Sequence, residues 1–203
     1  MQTMAEFGIG LAAVAESYKV LENPKFVGDL TRTVAIFRDG MNASPALQMI
    51  ERGQGFVAAL WGSTVVVAVY EFPSAPMESL LRILDEIRNC VAPLIAQDVL
   101  ILGDFNAKST LWGSIRIDLR GKAVVDWAAE LDLQLLNVGN VSTCFRWQGE
   151  SIVDLSWAFP RAARRVQEWR VAEERKSRGD HLYIDIFLLH AAGRKGTISQ
   201  GGD

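Results

Sequence analysis

The apolar run Val99-Leu100-Ile101-Leu102 ends at Gly103 and is followed at once by Asp104-Phe105-Asn106. Four consecutive apolar residues closed by a glycine fit a strand buried on both faces. Such a strand needs layers of structure on either side of it, which points to an α/β domain. Gly103 allows the backbone to turn where the strand ends. Asp104 and Asn106 then stand two residues apart at the mouth of a buried strand. A carboxylate there can orient or deprotonate a water, and a carboxamide can donate to a phosphoryl oxygen.

The rest of the chain supplies strands and helices in alternation. Ile9 to Ala15, Val34 to Phe37, Phe56 to Leu60 and Thr64 to Tyr70 read as strands, with a tight hairpin turn at Trp61-Gly62-Ser63. Met77 to Cys90 is predicted to be an amphipathic helix, because Leu80, Leu84, Ile87 and Val91 recur at three- and four-residue steps between Pro76 and Pro93. Lys122 to Leu131 predicts a second helix. Leu133 to Leu136, Ile152 to Trp157, Val166 to Val171 and Tyr183 to Leu189 predict further strands. Trp112, Trp127, Trp147 and Trp157 read as packing residues. From Ala191 the composition turns to Gly, Ser, Lys and Gln, and residues 191–203 are expected to be a disordered tail after one domain at 1–190.

A chain of 203 residues, 49% hydrophobic and 22% charged, suits a single globular domain. Its net charge of -3 argues against a simple basic DNA-binding module, although a metal ion can supply positive charge locally. Arg161, Arg164, Arg165, Arg170, Arg175, Lys176 and Arg178 form a basic stretch. It reads as a solvated face or, in a functional reading, as a phosphate-backbone contact beside a site. The two cysteines, Cys90 and Cys144, lack metal-ligand spacing and suit a reduced intracellular compartment. Phe7 to Ala15 is apolar but too short to span a membrane.

Two further groups of residues carry chemistry. Glu16 closes an apolar run, and a carboxylate there is satisfied by a hard divalent cation. Asp154 lies inside an apolar strand and His181 in Gly179-Asp180-His181. A buried aspartate accepting from one ring nitrogen fixes the histidine tautomer and stabilises its charged form. Asp154 and Asp180 are the candidate partners.

The order of these segments resembles the endonuclease/exonuclease/phosphatase family, in its apurinic-endonuclease-like branch found in non-LTR retrotransposons. The resemblance is carried by Ala15-Glu16-Ser17-Tyr18, Tyr70, Gly103-Asp104-Phe105-Asn106-Ala107 with Lys108-Ser109-Thr110-Leu111-Trp112-Gly113, and Arg120-Gly121. It continues through Leu136-Asn137, Thr143, Ser151-Ile152-Val153-Asp154 and Asp180-His181. It implies a four-layer α/β sandwich, with two packed mixed sheets and helices outside. It also implies a DNA endonuclease dependent on Mg2+, or on Mn2+ in its place, nicking a phosphodiester bond for target-primed reverse transcription. Its implied partners are DNA and a reverse transcriptase domain of the same polyprotein, with no membrane and a nuclear location. Asp104, Asn106, His181, Asp154 and Tyr70 take the catalytic positions, and Glu16 and Asp180 the metal. Asn106, Tyr70 and Ser109 take the substrate.

The sequence departs from the family pattern in three places. Ser17 stands where relatives often carry proline, and Gly179 where they usually carry serine. Relatives begin with a strand bearing an asparagine, whereas Met1 to Glu6 resemble the end of the helix that follows that strand. A gap or exposed edge in the sheet is therefore expected, with impaired activity. A catalytically inactive remnant and a phosphatase of the same fold are the alternative readings.

Overall fold

The computed structural model describes residues 4, 7–15, 25–39, 45–147, 149–175, 179–189 and 195–202. Two six-stranded mixed sheets pack face to face. The first has the order β12-β13-β14-β1-β3-β2 and the second β4-β5-β6-β7-β11-β8. In the first sheet, β1 is Leu11–Ala15, β2 Phe26–Gly28, β3 Val34–Arg38, β12 Val166–Ala172, β13 Tyr183–Leu189 and β14 Lys195–Gly202. In the second, β4 is Leu47–Arg52, β5 Phe56–Trp61, β6 Thr64–Tyr70, β7 Asp98–Asp104, β8 Gln134–Leu135 and β11 Asp154–Ala158. A short ribbon, β9 (Cys144–Arg146) with β10 (Gly149–Ser151), stands apart from both sheets. The helices are α1 (Met77–Val91), α2 (Leu119–Glu130) and α3 (Pro160–Ala163).

Strand alternation assigns side chains to two cores. Val66, Ala68, Leu100 and Leu102 of the second sheet face Leu11, Ile36, Ile184, Ile186 and Ile198 of the first. On the outer face of the second sheet, Val65, Val67, Val99 and Ile101 meet Leu80, Ile83, Leu84 and Ile87 of α1 and Val124 and Trp127 of α2. Every residue of β7 is buried, as a run without polar alternation requires. Over the outer face of the first sheet, Met4 and Ile9 pack with Ala12 and Phe37. The expected helical layer there falls largely outside the described residues. Among the described residues no helix is long and apolar enough to cross a membrane.

Helix α2 starts at Leu119, three residues before the expected Lys122, because the Asp118 side chain caps it by accepting from the Gly121 N–H. Strand β4 escaped the sequence pattern: it is an edge strand with most of its residues exposed, so it lacks an apolar face to read. The larger departure is at the C-terminus. Residues 195–202, expected to be disordered, form β14, parallel to β1 and antiparallel to β13. Two-sided backbone pairing compensates for a low apolar content. Its final glycines also admit close neighbours: a Cβ at Gly201 would lie 2.6 Å from the Tyr183 ring. The expected gap or exposed edge beside β1 is therefore filled.

Gly103 permits the close approach of β6 and β7. Its φ is +156°, and a Cβ there would lie 1.9 Å from the Val69 carbonyl oxygen. Gly103→Ala is expected to lower the unfolding free energy by about 2–4 kcal/mol, read by urea denaturation. An unchanged transition midpoint would mean that β6 and β7 can separate without loss.

Candidate active site

Sheet register sets three polar residues in a row. Tyr70, at the end of β6, is paired with Asp104, at the end of parallel β7, and Asp104 is paired with Asp154, at the start of antiparallel β11. The C-terminal ends of β6 and β7 and the N-terminal end of antiparallel β11 meet at one rim. His181 arrives from the other sheet, just before β13, and is held by an isolated bridge to Cys144 of β9. Its Nδ1–H donates to Asp154 Oδ2 at 2.8 Å. Its Nε2 faces Asp104 Oδ2 at 3.9 Å and is buried without a hydrogen-bond partner.

The surroundings hold this cluster rigidly. Asp104 is fully buried and accepts from the Asn106 backbone N–H at 2.8 Å and from Asn106 Nδ2 at 2.7 Å. Asn106 Nδ2 also donates to the Glu71 carbonyl at 2.9 Å, so the amide ties Asp104 to the segment after β6. Asn106 adopts φ +44°, a left-handed conformation that asparagine tolerates better than most residues. Arg120 fastens the same region by donating to the carbonyls of Ala75 at 3.1 Å and Phe105 at 3.3 Å. Behind Asp154, Thr143 Oγ1 accepts from the Val153 and Asp154 N–H groups, both at 3.2 Å. Asn137 donates to the Asp154 carbonyl at 3.0 Å and accepts from the Ser156 N–H at 2.8 Å.

Burial and the adjacent Asp154 carboxylate push the Asp104 pKa up to about 8, against the opposing pull of His181, the Asn106 N–H and Arg146. Burial alone would lower the His181 pKa, but hydrogen bonds to Asp154 and Cys144, with the Asp154 and Asp104 charges, raise it to about 11. The imidazole is thus cationic at neutral pH, while Asp104 is largely protonated there. Burial also raises the Glu71 pKa, against the Ser79 hydroxyl, Arg120 and Arg82.

Of the other expected site residues, Tyr70 is in strand register with this cluster. Glu16 is outside the described residues. Asp180 is 61% exposed in its side chain and faces Arg146 at 3.7 Å. Ser109 is buried and accepts from the Leu111 N–H, capping a short turn. Tyr70 is 4% exposed, with its ring edge-on to Phe72 at 4.8 Å. Among the described residues no three His, Cys, Asp or Glu side chains group as a cation site.

The sequence of the endonuclease-reverse transcriptase family matches residues 64–185, the segment that carries Tyr70, Asp104, Asn106, Asp154 and His181. The chain belongs to this family. Among solved structures, the endonuclease domain of TRAS1, a telomere-specific non-LTR retrotransposon, superposes with a TM-score of 0.76 at 24% identity. That match covers 94% of this chain and 90% of the other. An AP endonuclease from Archaeoglobus fulgidus gives 0.63 at 12% identity, over 89% of each chain. A 3′-5′ exonuclease from Neisseria meningitidis gives 0.58 at 16% identity, over 88% of this chain and 80% of that one. No curated protein matches the sequence. These likenesses establish the endonuclease/exonuclease/phosphatase sandwich as the fold.

Within this family member, one packing expectation changes. Trp112, Trp127 and Trp157 are buried as expected, but Trp147 is 92% exposed at the turn of the β9–β10 ribbon. Two arginines of the basic stretch lie away from the site. Arg161 and Arg165 bind Asp98, at the opposite end of β7 from Asp104 and roughly 20 Å away by strand rise. Arg175 is buried against Asp185, while Lys176 and Arg178 lie outside the described residues. These arginines neutralise carboxylates of β7 and β13.

Asn137 and Thr143 act through the backbone of Asp154. The sequence marked them only as part of the resemblance, since a backbone clamp leaves no pattern of its own. Glu71, Cys144 and Arg146 gave no sequence signal.

Both pKa shifts favour protons in the folded state. Asp104 holds its proton up to about pH 8, against an ordinary value of 3.8, so stability is lost as pH rises through that interval. The His181 contribution is complete below its ordinary value of 6.5 and is lost as pH rises through about 11. The melting temperature should therefore fall from about pH 6 to about pH 9, and Asp104→Asn should flatten the fall. A pH-independent melting temperature in the wild type would refute the shifted values.

Proposed function

We propose that this chain is a DNA endonuclease that nicks one strand and leaves a 3′-hydroxyl for reverse transcription by a domain of the same polyprotein, acting in the nucleus. The observation that carries this reading is the buried Asp104–His181–Asp154 cluster in register with Tyr70 at one rim of the sandwich. The 3.9 Å separation of His181 Nε2 from Asp104 Oδ2 is too long for a hydrogen bond. An oxygen set off that line lies within hydrogen-bond reach of both atoms.

In this reading Asp104 takes a proton from the attacking water, and its pKa of about 8 keeps it poised near neutral pH. The water oxygen bonds to phosphorus, the bond to the 3′ oxygen breaks, and that oxygen takes a proton from solvent to become the 3′-hydroxyl. His181, kept cationic by Asp154, stabilises the negative charge that develops on the phosphoryl oxygens. Tyr70 donates to one of these oxygens. Asn106 keeps Asp104 in position.

Burial and the Asp154 carboxylate hold the proton on Asp104 against the pull of His181 and Arg146, which marks a site short of positive charge and fits a divalent cation such as Mg2+ or Mn2+. A bound cation supplies Lewis-acid stabilisation of the phosphate and the leaving oxygen. Glu16 and Asp180 are the residues proposed to hold it. For the DNA, a cleft of about 520 Å³ lined in part by Lys108, Arg116 and Asn140 lies beside the β9–β10 ribbon. Exposed Ile115 adds apolar surface there, and Trp147 is exposed at the turn of the ribbon. Cations suit the phosphates and flat apolar side chains suit bases.

The test is conversion of supercoiled plasmid to open circles. Nicking is expected with Mg2+ and not with EDTA, and the nicked ends should prime a polymerase. Asp104→Ala and His181→Ala should each lower the rate by roughly 10²–10⁴-fold while remaining folded. Wild-type nicking by either variant would remove that residue from the mechanism.

A further inference from the structure

The first turn of α2 is fitted against the segment that follows β7. Asp118, which caps the helix, also accepts from the Lys108 N–H at 3.2 Å, and its own N–H donates to the Lys108 carbonyl at 3.0 Å. A Cβ at Gly121 would lie 1.8 Å from that same carbonyl oxygen, so glycine lets the helix come this close. Arg120 stands between these two points of contact. Its Nη1 donates to the Ala75 carbonyl at 3.1 Å, and its Nη2 to the carbonyls of Phe105 at 3.3 Å and Phe72 at 3.4 Å. Nη2 also lies 3.9 Å from Glu71 Oε1, a buried oxygen without a hydrogen-bond partner.

The segments that Arg120 joins are those that set Asp104. Phe105 stands between Asp104 and Asn106 in the chain. The Glu71 N–H donates to the Asp104 carbonyl at 3.0 Å. The Glu71 carbonyl accepts from Asn106 Nδ2 at 2.9 Å, and the same nitrogen donates to Asp104 Oδ2 at 2.7 Å. One guanidinium thus spans the chain after β6 and the chain after β7. A methionine at this place would fill similar space without burying a charge. A lysine would place a cation beside Glu71 but would lack the planar fork that reaches carbonyls on separate segments. Arginine is the side chain that meets both demands, which accounts for Arg120-Gly121 as a unit: glycine brings the helix in and arginine ties the segments.

We propose that the first turn of α2 is the outer support of the active site and that Arg120 is a positioning residue, fixing Asn106 and through it the Asp104 carboxylate. The catalytic consequence rests on the nuclease reading, whereas the placement of Asn106 does not.

The test compares the full chain carrying Arg120→Lys with the wild type. Lysine keeps a cation opposite Glu71, so the variant is expected to fold. Its kcat for plasmid nicking should fall about 10- to 100-fold with KM for DNA unchanged, because a small displacement of the reacting group is costly in rate. Gly121→Ala, which keeps Arg120 but forces α2 off the Lys108 carbonyl, should lower kcat in the same direction. A second measurement does not depend on nicking. The Asn106 side-chain amide protons should shift and exchange faster in Arg120→Lys. Those of Asn137, which donates to the Asp154 carbonyl at 3.0 Å on the opposite flank of Asp104, should stay in place. If the wild type does not nick, the nuclease reading falls, and the Asn106 amide still decides the role of Arg120. A folded Arg120→Lys with either wild-type kcat or an unmoved Asn106 amide would overturn the proposal. Equal changes at both amides would overturn it too, since Arg120 would then support the fold as a whole.

Discussion

The hydrogen bond from His181 to Asp154 joins the two sheets at the site, and the arrangement of the rim depends on it. Asp154 belongs to β11 of the second sheet, and His181 enters β13 of the first. Elsewhere the packing between these sheets is mainly aliphatic, which sets a spacing but not a lateral position. A directional contact of 2.8 Å between buried charged groups fixes both. Removing either partner would leave an unmatched buried charge, which costs far more than the intact pair contributes.

The same contact explains why so much of the structure serves the backbone around it. Thr143 and Asn137 hold the peptide groups on either side of Asp154, and Cys144 carries the bridge to His181. On the other flank, Asn106 and Arg120 tie the ends of β6 and β7 together. Each of these groups satisfies a donor or acceptor that the strand ends would otherwise leave unpaired. The cluster can remain charged in a dry interior because its surroundings were fixed during folding. Such pre-organisation suits stabilisation of developing charge better than a flexible rim would.

Much of this was legible in the sequence. Val99 to Leu102 announced β7, and Thr64–Tyr70 and Tyr183–Leu189 form strands with the predicted bounds. Asp104, Asn106, Asp154 and His181 were singled out, and the structure brings them together. Register was the illegible part. Period-two patterning tells which face a residue takes but not which residue it meets across the sheet. Trp147 was misread for a related reason: a tryptophan at a ribbon turn looks the same in sequence whether it faces the core or solvent. The arginines after Arg161 were ambiguous because their partners, Asp98 and Asp185, are distant in sequence or on another strand.

Strand β14 shows where composition fails as a guide. Lys195–Gly202 holds a single aliphatic side chain in the core, Ile198, with Gly, Ser, Thr and Gln around it. Low hydrophobicity ordinarily argues for disorder, since too little apolar surface is buried to offset the entropy of ordering. That argument assumes that the segment must supply its own stabilisation. Between two existing strands, a segment gains backbone hydrogen bonds on both edges and closes two sets of otherwise unpaired groups. Small residues then become an advantage, because larger ones would collide with the Tyr183 ring and crowd His181. The one large polar side chain of β14 shown facing inward, Gln200, accepts from Ser156 of the other sheet and so adds a directional contact between the sheets to the backbone pairing within its own.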